Sequence, residues 1–179
     1  MKIPLVKLKA ILRYLCSHTA PGTLGKTKLM KLFYFIDFVH VKKCGLPITF
    51  DRYVHLERGP VPSSILNLVN SVIDEPELSE LSDTISIQFE PGGGLQKIKC
   101  IQPFSEKDKD YFTTLELRTL AEVCSTFRDT STKDIVEVSH KQSAWKSTIE
   151  NSEIPYALAA QDPDSAVTSE DIALLTSLK

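Results

Sequence analysis

The sequence has few cysteines and none in a metal-binding or disulfide pattern. Cys16, Cys44, Cys100 and Cys124 are widely spaced, with no C-x-x-C pair and no histidine at zinc-ligand spacing from any of them. That lack excludes the signatures of a structural zinc site and of a disulfide framework. Free, mostly buried thiols in a reducing cytosol are expected, with neither metal nor cofactor. No apolar run approaches the roughly 20 residues that a bilayer-spanning helix needs. The start of the chain is interrupted by Lys2, Lys7 and Lys9 and lacks the apolar centre of a signal sequence. A cytoplasmic protein with no membrane partner is expected. Excess positive charge is missing too: 21 Lys and Arg stand against 23 Asp and Glu, a formal net charge of −2. Broad binding to nucleic acid through phosphates needs a basic face, so nucleic acid is not an expected partner. A local cluster does occur early, at Lys2, Lys7, Lys9, Arg13, Lys26, Lys28 and Lys31, and is read as the wet faces of two helices. Internal repeats and low-complexity segments are absent.

What the chain does have is helical periodicity and enough apolar residues to build a core. At 179 residues and 42% hydrophobic it can bury a sizeable core in one domain without covalent staples. Leu5, Leu8, Ile11, Leu12 and Leu15 recur at helical spacing behind Pro4, which predicts a helix over residues 3–16. The next helix carries Leu29, Met30, Leu32, Phe33, Phe35, Ile36, Phe38, Val39 and Val41. A surface helix has an apolar stripe only about 100° wide, so a helix apolar nearly all round belongs at the centre of the domain. Gly45 suits its C-terminal cap and Pro47 prevents continuation. Residues 48–57 are short and aromatic-rich, and strand and irregular structure remain equally open there. Ser63 or Ser64 is expected to cap a third helix over about 64–73. Alternating residues on either side of Pro91-Gly92-Gly93-Gly94 predict a β-hairpin. A long helix is expected from Ser105 to about Phe127, with Glu106 and Asp108 in its first turn. Shorter helices follow over 131–140, 154–160 and beyond Thr168. The fold class is α+β, mainly α: a single helical domain over residues 1–179 with one small antiparallel hairpin. Its central helix is expected to touch the first helix, the third and the long one.

Several segments invite a chemical reading. Ala20-Pro21-Gly22-Thr23-Leu24-Gly25-Lys26-Thr27 falls one residue short of a phosphate-binding loop. That loop needs glycine first and a strand before it, whereas Ala20 follows a helix. Thr23 or Thr27 capping the central helix is the simpler reading. The triple glycine at 92–94 is explained by a hairpin turn. Ser139-His140 suggests a nucleophile and base, but adjacent residues rarely point at one another and no third group is identifiable. Packing of His140 against Trp145 at a helix end, with the indole N–H finding an acceptor, is preferred. Asp37 is the one acid inside the apolar helix. A buried carboxylate persists only when compensated, and Arg52, His55 and Arg58 lie just downstream, so an ion pair from Asp37 to that segment is expected.

The ordered combination of these pieces resembles a known family. Leu32-Phe33-Tyr34-Phe35-Ile36-Asp37-Phe38, then Gly45-x-Pro47-Ile48, Asp51-x-Tyr53 and Gly59-Pro60-Val61-Pro62, resembles the Panacea domain of SocA-like antitoxins. Val138-Ser139-His140 followed by Ala144-Trp145-Lys146 is similar to the family's late motif, with Ala144 where the family usually has Pro. The resemblance covers about residues 5–150, leaving 151–179 as a C-terminal helical extension. It implies structural motif residues at Asp37, Asp51, Arg52, Tyr53, Arg58, Gly59, Pro60, Val61, Ser139, His140 and Trp145. It also implies a cognate toxin as partner, neutralised by binding, and in one member type a protease to which the toxin is delivered. It implies no catalytic site. The alternative from a different class is an enzyme or small-ligand binder using Asp37, His55, Arg58 and His140 around a pocket. Whether those side chains converge on an open cleft or pair internally separates the two. A DNA-binding autoregulator ranks below both, because the chain starts directly at the core motifs.

Overall fold

The computed structural model describes residues 3–89 and 96–178. Its elements follow in the order α1 (Leu5–His18), α2 (Lys26–Cys44), β1 (Tyr53–Leu56), β2 (Gly59–Pro62), α3 (Ser63–Asp74), β3 (Ile85–Phe89) and β4 (Gln96–Cys100). A 3₁₀ helix (Glu106–Tyr111), α4 (Thr114–Phe127), α5 (Thr132–His140) and α6 (Ser143–Lys146) come next. A second 3₁₀ helix (Tyr156–Gln161) and α7 (Ser169–Ser177) complete the chain. The architecture is mainly α, with two small antiparallel two-stranded sheets among the described residues.

The central position of α2 follows from its composition. Of its 19 residues 14 are buried, so no single apolar stripe describes it. Phe33 and Ile36 are fully buried. Its chief neighbours are α4, β2, α5, the 3₁₀ helix Tyr156–Gln161 and β4. The expected contact with the long helix is therefore present, as α4. The first and third helices are not among its chief neighbours. Instead α1 packs mainly on β4, the 3₁₀ helix Glu106–Tyr111 and α4, and α3 mainly on β3 and β2. At its end α2 closes as the sequence suggests: Gly45 takes φ 78° and its N–H returns to the Val41 carbonyl at 2.7 Å. Its start differs. Gly25 is the cap and no side chain caps it, while the Thr23 hydroxyl donates to the Ala20 carbonyl at 2.8 Å.

Two boundaries depart from expectation for local reasons. The long helix from Ser105 is broken at Phe112. Ser105 with Asp108 and Thr113 with Glu116 form two successive capping boxes, each closing its own N-terminus, so one helical run becomes a 3₁₀ turn and α4. The segment left open between strand and irregular structure contributes β1, which pairs antiparallel with β2 in the register Tyr53↔Pro62 to Leu56↔Gly59. On its other edge β1 meets the 151–154 segment. The His55 N–H donates to the Ser152 carbonyl at 2.9 Å, and the Ile154 N–H donates to the Tyr53 carbonyl at 2.9 Å. The expected hairpin is β3–β4, with Ile85 opposite Cys100 and Phe89 opposite Gln96. Its Pro91–Gly94 turn lies outside the described residues.

Lys2 lies outside the described residues, and the rest of the early basic cluster is not a wet face. Lys28 and Lys31 are fully buried. Lys28 Nζ donates to the carbonyls of Arg128 at 3.1 Å and Thr130 at 2.7 Å, just past the end of α4, where the helix dipole favours a cation. Lys7 pairs with Glu116 at 2.6 Å, Lys9 with Asp83 at 2.8 Å and Arg13 with Asp108 at 2.8 Å. The cysteines are free thiols, but only Cys124 is fully within the core; Cys16, Cys44 and Cys100 are half-buried.

Candidate functional site

Asp37 sits at the middle of α2 and is fully buried. Its carboxylate accepts from the N–H groups of Ile48 and Thr49, each at 2.8 Å to Oδ1. The Thr49 hydroxyl donates to Oδ2, and the Tyr53 hydroxyl donates to the same oxygen at 2.9 Å. The Tyr156 hydroxyl lies 3.2 Å from Oδ2 and 2.7 Å from the Asp51 carbonyl oxygen. Among the described residues no Arg, Lys or His pairs with Asp37. The expected ion pair to the Arg52–Arg58 segment is therefore not formed. The compensation comes from backbone N–H and hydroxyl donors instead, which suit a carboxylate held without a counter-charge. Burial pushes the Asp37 carboxyl up to about 6, against the pull of those four donors. Tyr53 and Tyr156 are raised well above the usual phenol range, by burial first and by the Asp37 charge second.

Asp51 works in the same way at the next element. Its carboxylate accepts from Ser64 N at 3.2 Å and Ile65 N at 2.8 Å, which are open donors of the first turn of α3. A residue twelve positions upstream thus takes the place expected for Ser63 or Ser64 as the cap. Asp51 also accepts from the Arg52 N–H at 2.9 Å, while the Arg52 carbonyl accepts from Ser63 N at 2.9 Å. Asp37 and Asp51 together pin the irregular 46–52 segment between α2 and β1.

Gly59, Pro60 and Val61 form β2 directly over α2. Gly59 has φ 88°, and a Cβ there would lie 2.6 Å from Ser139 Oγ and 2.9 Å from Lys31 Cε. Only glycine allows both the backbone conformation and the close approach. Beneath it Lys31 Nζ donates to the Pro60 carbonyl at 2.7 Å. Burial lowers the Lys31 ammonium to about 7. Ser139 turns its hydroxyl back onto its own helix, donating to the Val136 carbonyl at 2.7 Å. It is not hydrogen-bonded to His140, so the nucleophile-and-base reading has no geometry behind it.

Trp145 is held between two imidazoles. The His140 ring stacks on it at 4.1 Å between centroids and 19°, and the His55 ring stacks at 4.2 Å and 25°. His140 thus packs against Trp145, and His55 of β1 is a second, unexpected stacking partner. His55 is fixed through Nδ1, 2.9 Å from the Thr148 hydroxyl. The indole N–H finds no acceptor: Trp145 Nε1 and His140 Nε2 are both buried without a hydrogen-bond partner. His140 is lowered by burial first and then by the neighbouring Lys31 and His55 charges.

The motif residues therefore gather along one side of α2 without converging on a reacting centre. Asp37, Asp51 and Tyr53 form one hydrogen-bonded group, joined by Thr49 and Tyr156. Gly59, Pro60 and Ser139 gather over Lys31, and His140 and Trp145 stack with His55. Arg52 and Arg58 are exposed, and their side chains take no part in the Asp37 or Trp145 groups. Arg58, with half-buried Val61, lines an open cleft beside Lys26 and Lys31, which neither Asp37 nor His140 lines. Asp37 and His140 thus stand apart from the cleft that Arg58 lines. Among the described residues no group of three or more His, Cys, Asp and Glu is placed to hold a metal ion. Thr49, Tyr156, Lys28 and Lys31 were missed in the sequence: single polar residues in an apolar setting look like surface positions until the partner arrives from elsewhere in the chain.

Fold and site together define a mainly helical protein built around one buried helix, whose polar motif residues fix the chain segments that cross it. Comparison with known families then identifies it. The chain belongs to the SocA-like antitoxins with a Panacea domain; the family described as "Antitoxin SocA-like, Panacea domain" matches residues 29–146, more than half of the chain. Neither the curated proteins nor the solved structures yield a match.

Proposed function

We propose that this protein is the antitoxin of a toxin–antitoxin pair and neutralises a cognate toxin protein by direct binding, as one cytoplasmic domain over residues 1–179. The observation that carries the reading is the family match over residues 29–146, whose own description is that of an antitoxin. The internal pairing of Asp37 and the stacking of His140 support it from a second side. A protein acting by turnover needs titrating groups facing a substrate, and the best polar candidates here face the protein. No helix of the described residues is long and apolar enough to cross a membrane. Binding then operates by occluding the toxin or by presenting it to a protease.

The test is co-expression with the product of the neighbouring reading frame. Growth rescue together with co-purification of the two proteins is the expected result. Toxin half-life separates the two modes: an unchanged half-life marks occlusion, and a shortened one marks delivery to a protease. Rescue with no complex by cross-linking or pull-down would overturn the binding reading in favour of an enzymatic antidote.

A further inference from the structure

Several cations of this protein are held by carboxylates. Lys7, Lys9, Arg13 and Lys42 each have a carboxylate oxygen within 2.8 Å, and Lys43 pairs with Glu122. Three cations around one cleft do not. Lys26 Nζ donates only to the Asn70 side-chain oxygen, at 3.2 Å, and Lys31 Nζ only to the Pro60 carbonyl. Arg58 forms no ion pair among the described residues. All three line a cleft of about 370 Å³ between the start of α2, the β1–β2 turn and α3. Among the described residues Glu57 is the only carboxylate in its lining, so a site of net positive charge sits on a chain of net charge −2. The first turn of α2, which supplies Lys26 and Thr27, has neither an acidic residue nor a side-chain cap, and adds potential of the same sign. Between the cations the walls are apolar, formed by Met30, Leu56, Val61 and Leu66.

We propose that this cleft is the docking site for an acidic segment of the partner protein, one in which a carboxylate is flanked by a large apolar side chain. The inference rests on the antitoxin reading and names the surface by which it operates. The apolar walls exclude water and take the flanking side chain, while Lys26 and Arg58 at the rim pair with the carboxylate. Lys31, buried in the floor, adds to that potential from below when protonated, a contribution that falls away as pH rises through about 7. A free phosphate fits less well, because Glu57 opposes a dianion and the apolar walls are left without a partner. Charge pairs of this kind fix register and speed association more than they add area.

The experiment uses the full chain, labelled with ¹⁵N, and three probes. These are a short synthetic peptide alternating Asp or Glu with Leu or Phe, the same peptide with Lys in place of the acids, and inorganic phosphate. The acidic peptide is expected to shift the amides of residues 26–31, 57–61 and 66–70. A Lys26→Glu/Arg58→Glu variant is expected to bind it about tenfold more weakly or worse. Among the described residues neither position forms an ion pair, and the variant is expected to melt close to the wild-type temperature. Lys31 is left intact because of its burial. Equal binding of the basic peptide, unchanged binding by the double variant, or the same shifts from phosphate alone would each overturn the proposal. In cells the folded double variant is expected to lose neutralisation of the neighbouring gene product, and full neutralisation would also overturn it. A wild-type chain that neutralises nothing removes the antitoxin reading, while the peptide titration still decides the cleft.

Discussion

A buried carboxylate with donors but no cation has a distinctive response to pH. The Asp37 carboxyl stands at about 6 in the folded chain against an ordinary 3.8, so the folded state holds the proton more tightly than the unfolded state does. Stability from this group is fully present below pH 3.8 and is lost as pH rises through about 6, a change of about 3 kcal/mol. Asp37→Asn cannot titrate, yet keeps an oxygen for the Ile48 and Thr49 N–H groups. Urea unfolding of both proteins at steps from pH 4 to pH 7 is expected to show the wild type losing ground to the variant across that window. A difference that stays flat with pH would mean that Asp37 does not titrate there. Tyr34 gives the opposite kind of case. It is fully buried and its hydroxyl has no hydrogen-bond partner. Its ring packs against Phe38 with 4.3 Å between centroids and a 31° tilt, a contact that phenylalanine retains. Removing an unsatisfied hydroxyl without opening a cavity stabilises by about 1 kcal/mol, so Tyr34→Phe is expected to melt about 3 °C higher. A lower melting temperature would show that the hydroxyl is satisfied in solution.

At the scale of elements, β2 is pressed onto α2 and α5 at one point. Gly59→Ala adds a methyl 2.6 Å from Ser139 Oγ at a backbone position of φ 88°. Left-handed strain and overpacking together are expected to cost about 3 kcal/mol. Ser139→Ala in the same chain removes the nearer obstacle and is expected to restore part of the loss in a thermal melt. No recovery would place the cost in the backbone and in the contact with Lys31. Trp145 joins α6 to β1 and α5 through its two imidazole partners. It is half-buried, so Trp145→Ala is expected to cost about 3 kcal/mol, the lower end of the range for core tryptophan. Stability and neutralisation then fall together, whereas a variant with an unchanged melt that fails to neutralise would put Trp145 at the partner interface. The helices themselves were readable from periodicity, and α2 most clearly, because a continuous apolar run has one physical meaning. The break at Phe112 was also written in the chain, as two capping boxes, but Leu115 to Phe127 continues the apolar period and masked it. The cap of α3 was not readable, since nothing local tells that Asp51 folds back over a hairpin.

Taken as a whole, the molecule closes around α2 with its last thirty or so residues, beyond the 29–146 family match. Proximity in sequence pointed to the segment that supplies Tyr53 but not to the whole set of partners of Asp37, because one hydroxyl neighbour, Tyr156, lies 119 positions away. The same segment does much else. Residues 151–154 pair with the free edge of β1, and the Ala166 N–H reaches the Lys42 carbonyl at 2.8 Å. The Asp164 carboxylate meets Lys42 Nζ at 2.8 Å, and the Asp162 carboxylate accepts from Ser143 N at 3.0 Å. Ile154, Ala159 and Ile172 are buried, and Leu175 lies against Gly45 at the end of α2. A segment so engaged is part of the core and not an appendage. Truncation after residue 150 is therefore expected to expose the 3₁₀-covered side of α2, leave β1 with an open edge, and deprive Asp37 of one of its neighbours. Each fully buried apolar side chain lost removes roughly 1.5–3 kcal/mol, and a few of them amount to a large share of a typical domain's stability. The truncated chain is expected to lose its cooperative thermal transition and the dispersion of its amide spectrum. A truncated chain that melts cooperatively near the full-length temperature would show that residues 1–150 fold alone and that the C-terminal segment only docks on a finished structure.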